Sequence, residues 1–258
     1  MNPRPDTGHV VLVAAAKLTL SLRIVGVRQD GYHLIDAEMV SLDLADTIDV
    51  SPGTGVTYLR GSTGEPIDLG EGDLVSDALA LTGERVAVVV TKHIPAGAGL
   101  GGGSSDAAAI LRWAGVTDPG SAASIGADVA FCLVGGRARV GGTGELVRPL
   151  PPLEATYTLL TPPLHVATPV VYRRWDELGG PTGQGDNDLE PAAVDAYPEL
   201  LRWRDLLGEA TGVTPALAGS GGTWFVPGEF ATTLGGVATV VTHTVGPTGP
   251  VPGASNRG

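Results

Sequence analysis

The segment from Arg85 to Ala114 constrains this chain most. A β-branched apolar run, Arg85-Val-Ala-Val-Val-Val-Thr91, is followed by Pro95, Ala96, Gly97, Ala98, Gly99, Leu100, Gly101, Gly102, Gly103, Ser104 and Ser105, and then by the alanine-rich stretch Asp106 to Ala114. The first run has the composition of a buried strand and the last that of a helix, predicted over Ser104 to Ala114 with Ser104 or Ser105 as its cap. Glycines between a strand and a helix let the backbone adopt positive φ and approach a ligand closely. Successive N–H groups and the positive end of the helix then converge on an anion. The arrangement predicts a phosphate-binding loop, with the hydroxyl of Ser104 or Ser105 offered to a phosphate oxygen or a magnesium ion.

Competing loop types fit less well. Gly97-x-Gly99-x-x-Gly102 matches the dinucleotide fingerprint in form, but Lys92-His-Ile-Pro95 separates it from the strand, and β-rich sequence precedes it instead of a βαβ repeat. A Walker A loop ends in Gly-Lys-Ser/Thr, whereas this one ends in Gly-Ser-Ser. The His-Arg-Asp and Asp-Phe-Gly signatures of protein kinases are absent.

Around this centre, Val10 to Ile24 reads as one or two strands, Asp30-Gly31 as a tight turn, and 37–44 and 46–50 as further strands. Gly53 to Gly72 reads as turns and Leu74 to Leu81 as a helix. Asp118-Pro119 opens a short helix ending near Gly126, and paired glycines at 135–136 and 141–142 flank a hairpin. Pro149-Leu-Pro-Pro152 reads as a linker, giving domains 1–150 and 151–258. Beyond it come a strand (Tyr157 to Leu160), helices over Val170 to Leu178 and Ala192 to Leu207, a turn at Ala218 to Gly222, a strand (Thr223 to Val226) and a frayed tail from Gly246.

Composition narrows the partners. A net charge of −12 disfavours nucleic acid and anionic membranes, while leaving room for a phosphate held by backbone amides. The single cysteine, Cys132, allows no intrachain disulfide and sits in an apolar run as a small hydrophobe, which fits a cytoplasmic protein. Val10 to Ala16 follows Arg4 and has an Ala-x-Ala pattern, but it is at the short limit for a signal peptide and Asp6 spoils the positive leader, so a buried strand is expected instead. No zinc-ligand spacing occurs among the histidines.

Pro95-x-Gly-x-Gly-Leu-Gly-Gly-Gly-Ser-Ser105 resembles the ATP loop of the GHMP kinases, a family of small-molecule kinases. Ala16-Lys-Leu-Thr-Leu-Ser-Leu22, Arg28-Gln-Asp-Gly-Tyr-His33, Gly126-Ala-Asp-Val-Ala-Phe131, Asn187-Asp-Leu-Glu-Pro191 and Gly219-Ser-Gly221 resemble further motifs, in order, from about Ala16 to Gly221. Together they are similar to the member that phosphorylates a cytidine-diphosphate polyol for isoprenoid synthesis. The resemblance implies an α+β, two-domain GHMP kinase fold: an N-terminal domain like ribosomal protein S5 domain 2, with a left-handed crossover, and a ferredoxin-like C-terminal domain. It implies ATP with Mg2+, direct in-line transfer to a hydroxyl, and a monomer or weak homodimer.

The resemblance also implies roles. Asp128 takes the proton of the attacking hydroxyl and Lys17 pairs with it; the less favoured alternatives are that Asp128 caps a helix or turn and that Lys17 snorkels from an exposed strand. Both interrupt apolar runs, where an unpaired charge is costly. Tyr32 would stack on a pyrimidine and His33 would hydrogen-bond its edge. Lys92 would reach phosphate or nucleotide, or lie solvated at a strand end. Thr19, Thr168 and Ser220 would lie on the substrate side, Ser220 alternatively serving only a tight turn. Several positions depart from the family pattern: Thr19 stands for asparagine, Ala15 and Ala130 for prolines, and Asp73 for an asparagine on the adenine side. They leave open another GHMP-type kinase acting on homoserine or a sugar, or a non-catalytic ATP-binding protein of the same fold.

Overall fold

The computed structural model describes residues 8–68, 73–183 and 185–247. Most of the Gly/Pro/Thr-rich tail, together with Arg4 and Asp6, lies outside the described residues. No helix among them is long and apolar enough to cross a membrane.

Two long strands, β1 (Val10–Val27) and β2 (His33–Ser51), form an antiparallel hairpin through the turn at Asp30-Gly31. The sequence reading divided this region into shorter strands. The structure keeps them continuous, with register shifts between Ala15 and Lys17 and between Thr19 and Ser21. The first shift matters for the site. Leu12 and Ala14 pair with Ile48 and Asp46, and Lys17 and Thr19 pair with Ser41 and Met39. Met39, Ile48, Leu12 and Ala14 share one core cluster, whereas Ala16 and Leu18 belong to a second. Side chains alternate along a regular strand. The irregularity resets that alternation and turns Lys17 and Thr19 toward the helix-covered face.

Strand β3 (Gly55–Arg60) corrects the expectation of turns over Gly53 to Gly72. It runs parallel to β4 (Ala87–Lys92) as an edge strand. Only Val56 and Tyr58 pack on the core, so its local pattern is weak, and a pairing partner about thirty residues on completes it. Between them lies α1 (Leu74–Thr82), capped by the Asp73 carboxylate, which accepts from the Val75 amide. Helices α2 (Gly102–Trp113), α3 (Pro119–Ala123) and α4 (Ala127–Val134) follow, then a hairpin of β5 (Arg137–Gly142) and β6 (Leu146–Pro149); it extends past the expected bounds, with Gly141-Gly142 ending its first strand instead of flanking the pair.

The second half holds β7 (Thr156–Leu160), α5 (Thr168–Glu177), α6 (Glu190–Ala196), α7 (Glu199–Thr211), β8 (Ala216–Leu217), β9 (Trp224–Pro227), β10 (Thr233–Leu234), β11 (Val237–Ala238) and β12 (Val240–Val245). The single helix expected over Ala192 to Leu207 is two helices. Pro198 disfavours helical geometry at Tyr197, which sits at φ −133° and ψ 74°, and the chain turns there.

Residues 150–155 carry no helix or strand, and the expected domain boundary falls in that stretch. The sheet does not stop there: β12 pairs with β2 at one end and β7 at the other, making ten strands continuous across both halves. The second core cluster lies on this seam. It joins Ala16, Leu18, Val40 and Leu42 to Tyr157, Leu159 and Phe225, with Ala98 and Leu100 of the glycine loop between them. Each such large apolar side chain contributes roughly 1.5–3 kcal/mol by leaving water. The architecture is a mixed α+β fold with its helices gathered over the sheet.

Candidate active site

A cleft of about 900 Å³ opens where the two halves meet, and Pro95 to Ser104 line it without a gap. Two glycines show why this loop needs them. Gly101 is the N-cap of α2, in the left-handed region at φ +69°, and a Cβ there would lie 2.7 Å from Lys17 Cγ. Gly99 lies at φ +74°, and its Cβ would meet the carbonyl oxygens of Ala218 and Gly221 at 2.6 Å. The loop is therefore pressed between β1 and the 218–221 turn, and the Lys17 amide donates to the Leu100 carbonyl at 3.0 Å. The first amides of a helix lack partners within it, and in α2 these belong to cleft-lining residues.

Neither serine caps α2, because the helix begins two residues earlier, at Gly102. That changes their directions. Ser104 lines the cleft. Ser105, 1% exposed, donates its hydroxyl to the Ala15 carbonyl at 2.7 Å and lies 3.3 Å from Cys132 Sγ. Of the two serines offered to a metal ion, Ser105 is thus turned into the core. Burial pushes the Cys132 thiol up to about 12, as suits a small buried hydrophobe.

Lys17 and Asp128 come together beside the loop. Lys17 Nζ lies 3.2 Å from Asp128 Oδ2 and donates to Thr19 Oγ1 at 3.1 Å. The lysine is 5% exposed, and the aspartate occupies the first turn of α4, where the helix end favours a carboxylate. Thr19, where the resemblance expects an asparagine, spends an oxygen lone pair on the lysine and keeps its own proton to donate.

Lys92 is a correction to the picture of an ammonium free for the nucleotide. It lines the cleft, but Nζ meets Asp106 at 2.5 Å and also meets Asp46. The Asp106 carboxyl is pushed up to about 7, chiefly by burial, with Asp46 adding to the rise and Lys92 opposing it. Asp46 and Asp106 were missed in the sequence, since each reads as an ordinary polar residue in its own element.

The remaining candidates line the same cleft. Tyr32, 65% exposed, stands at the hairpin turn with the Arg28 guanidinium 5.9 Å from its ring centre. His33 packs against Tyr172 with ring centres 4.8 Å apart and meets the Asp176 carboxylate through Nε2 at 2.8 Å. Burial, with the Asp128 charge adding, pushes the Tyr172 phenol up to about 12, so it stays a neutral wall. Thr168 and Ser220 meet hydroxyl to hydroxyl at 2.7 Å. The 217–219 backbone beside them is held by buried Asn187, whose amide donates to the carbonyls of Leu217 (2.9 Å) and Gly219 (2.7 Å). Asp73 spends its carboxylate locally, accepting from Val75, Ser76 and the Tyr58 hydroxyl.

Comparison with known proteins agrees with this geometry. The family described as "GHMP kinases N terminal domain" matches residues 73–136. The 4-diphosphocytidyl-2-C-methyl-D-erythritol kinase of Cereibacter sphaeroides is 35% identical over 247 residues, covering 84% of this chain and 88% of its own. The enzyme of the same name from Thiobacillus denitrificans is 36% identical over 246 residues, covering 85% and 86%. A crystal structure of 4-(cytidine 5'-diphospho)-2C-methyl-D-erythritol kinase superposes with a TM-score of 0.72 at 28% identity, over 92% of this chain and all of that one. With a glycine loop, a lysine–aspartate pair beside it and relatives spanning nearly its whole length, the chain belongs to the 4-diphosphocytidyl-2-C-methyl-D-erythritol kinase family of GHMP kinases.

Proposed function

We infer that the chain transfers the γ-phosphoryl group of ATP to the 2-hydroxyl of 4-diphosphocytidyl-2-C-methyl-D-erythritol. The observation that carries this is the Lys17–Asp128 pair, 3.2 Å apart, at the mouth of the glycine loop. In this reading Asp128 accepts the hydroxyl proton as the substrate oxygen bonds to phosphorus, and the bond from phosphorus to the β–γ bridging oxygen breaks, leaving ADP with the electron pair. Lys17 holds the carboxylate in place at 3.2 Å before the transfer and offsets charge growing on the phosphoryl oxygens during it. The amides from Gly97 to Ser104 hold the phosphates.

Mg2+ enters with the nucleotide. No cluster of three His, Cys, Asp or Glu side chains suited to a metal occurs among the described residues, which suits an ion carried mainly by phosphate oxygens, with the Ser104 hydroxyl within the same cleft. When bound, the ion neutralises phosphate charge. On the substrate side, the exposed ring of Tyr32 offers a face for the cytosine and His33 an edge contact, while Thr19, Thr168 and Ser220 offer hydroxyls to the polyol. We assign the activity to the cytoplasm, in keeping with a single buried thiol.

A coupled ADP-release assay with the cytidine substrate tests the reading. Asp128→Asn is expected to lower kcat by about 10²–10⁴ while retaining ATP binding. Equal rates in the two proteins would remove Asp128 from its role. An absence of substrate-dependent ADP release in the wild type would remove the activity itself.

A further inference from the structure

The Lys17–Asp128 pair leaves a second buried charge cluster unexplained. Asp46 on β2 and Asp106 on α2 are both fully buried, and Lys92 at the end of β4 bonds to both carboxylates. Asp46 Oδ1 also accepts the amides of His93 and Ile94, the latter at 2.8 Å. Burying three charges is expensive, and apolar side chains of similar volume commonly cost less. The position of the cluster suggests what the expense supports. Lys92 is the last residue before the loop segment and Asp106 follows it directly, so one ammonium joins the two ends of residues 93–105. Asp46 anchors that junction to the central strand. The lysine nitrogen would lie 3.2 Å from a Cβ at Gly102, directly under the start of α2.

We propose that Asp46, Lys92 and Asp106 form a staple that closes the base of the glycine loop and holds its amides at the spacing a polyphosphate requires. All three are positioning residues: the ammonium is spent on carboxylates, and the phosphates are met by the backbone it aligns. The second oxygen of Asp106 is buried without a hydrogen-bond partner, so the cluster carries one more acceptor than its donors satisfy. Burial favours a proton on the Asp106 carboxyl, which lessens the negative charge beneath an anionic ligand. This inference rests on the nucleotide reading of the loop.

The test compares Asp106→Leu, which deletes the acceptor at similar volume, with Asp106→Asn, which keeps an oxygen for Lys92. Binding of a non-hydrolysable ATP analogue with Mg2+ is measured by calorimetry, and amide hydrogen exchange over 93–101 is measured in the unliganded proteins. Asp106→Leu is expected to weaken analogue binding at least tenfold and speed loop exchange, leaving KM for the cytidine substrate within twofold. Asp106→Asn is expected to restore binding to within about threefold of wild type. Should the leucine variant fail to fold, Lys92→Arg replaces it: a reshaped cation is expected to cost tenfold in analogue binding. Equal analogue binding and equal loop exchange in wild type and a folded staple-breaking variant would overturn the proposal. If the wild type does not bind the analogue, the nucleotide reading falls, and the exchange rates in the free proteins still decide whether the staple orders the loop.

Discussion

Gly101→Ala tests whether the loop and the reacting pair form one mechanical unit. Gly101 sits at φ +69°, where an alanine costs roughly 1–2 kcal/mol in backbone strain. Its new Cβ would stand 2.7 Å from Lys17 Cγ, while ordinary contact begins at 3.4 Å, so one partner must yield by about 0.7 Å. Cγ lies near the root of a side chain that is 5% exposed, with its far end held by Asp128 and Thr19, so the lysine has little slack. Overpacking of this kind adds roughly 1–3 kcal/mol. The sum is about 2–5 kcal/mol, a sizeable share of the roughly 5–15 kcal/mol that holds a domain folded.

The kinetic effect is expected to be distinct from the loss of stability. A shift near 1 Å in a positioned catalytic group can cost about 10²-fold. For Gly101→Ala we expect kcat to fall on the order of 10–100-fold at a temperature where the variant remains folded. Gly136→Ala, outside the cleft lining, supplies the control. Its φ is +72°, but its Cβ would meet the Pro247 ring at 2.9 Å, away from the lysine. It should lose comparable stability with much less loss of kcat. Thermal melts and ADP-release rates on both proteins decide the matter. If Gly101→Ala melts several degrees low yet turns over within twofold of wild type, the lysine is not held by the loop and the reasoning fails.

Two further outcomes are expected. Asn187→Ala strips the carbonyls of Leu217 and Gly219 and the Leu189 amide of their partners; the loss should be about 2–4 kcal/mol, and calorimetry giving under 1 kcal/mol would contradict it. The second outcome concerns pH. Because the Asp106 carboxyl is pushed up to about 7, chiefly by burial, the native state holds its proton more tightly than the unfolded chain. Its contribution to stability is full below the ordinary carboxylate range, declines above it, and is lost as pH rises through about 7. The slope cannot exceed about 1.4 kcal/mol per pH unit for one proton. Lys92 and Asp46 face the group; burial pulls the Lys92 ammonium down, but Asp106 and Asp46 outweigh it and hold it above its ordinary range, and Tyr58 nearby is raised by burial and by Asp73 and Asp106. Melts from pH 5 to 8 should therefore flatten in Asp106→Asn, and an unchanged slope would refute the assignment.

What could be read from the sequence was local. The strand, glycines and helix around residue 100 are contiguous, and Lys17 and Asp128 stand out because each interrupts an apolar run. Lys92 was legible as a cleft residue but not as a paired one, because its partners lie 46 residues before it and 14 after it. The direction of Ser105 depended on where α2 begins, and a shift of two residues turned its hydroxyl from the cleft to the core. The meeting of Thr168 with Ser220 spans 52 residues and follows from the turn that Asn187 holds. Strand β3 was missed because a half-polar edge strand derives its identity from its neighbour.

The charges within the cleft bear on how an acidic chain can hold a polyphosphate. Among the described residues, the lining includes two lysines, Lys17 and Lys92, and no arginine, against the carboxylates of Asp30, Asp128 and Glu145. One lysine is bonded to Asp128 and the other to two further carboxylates buried behind it. The described lining side chains therefore carry no excess of positive charge, and both lysines are already paired with carboxylates. What remains is the backbone: amides free to point at the ligand because glycine permits the turn, and the end of a twelve-residue helix behind them. In the function proposed above, the balancing cation arrives with the nucleotide. On the roles proposed above, Lys17 serves the attacking side and Lys92 orders the loop, so the chain's net charge of −12 does not conflict with holding a polyphosphate.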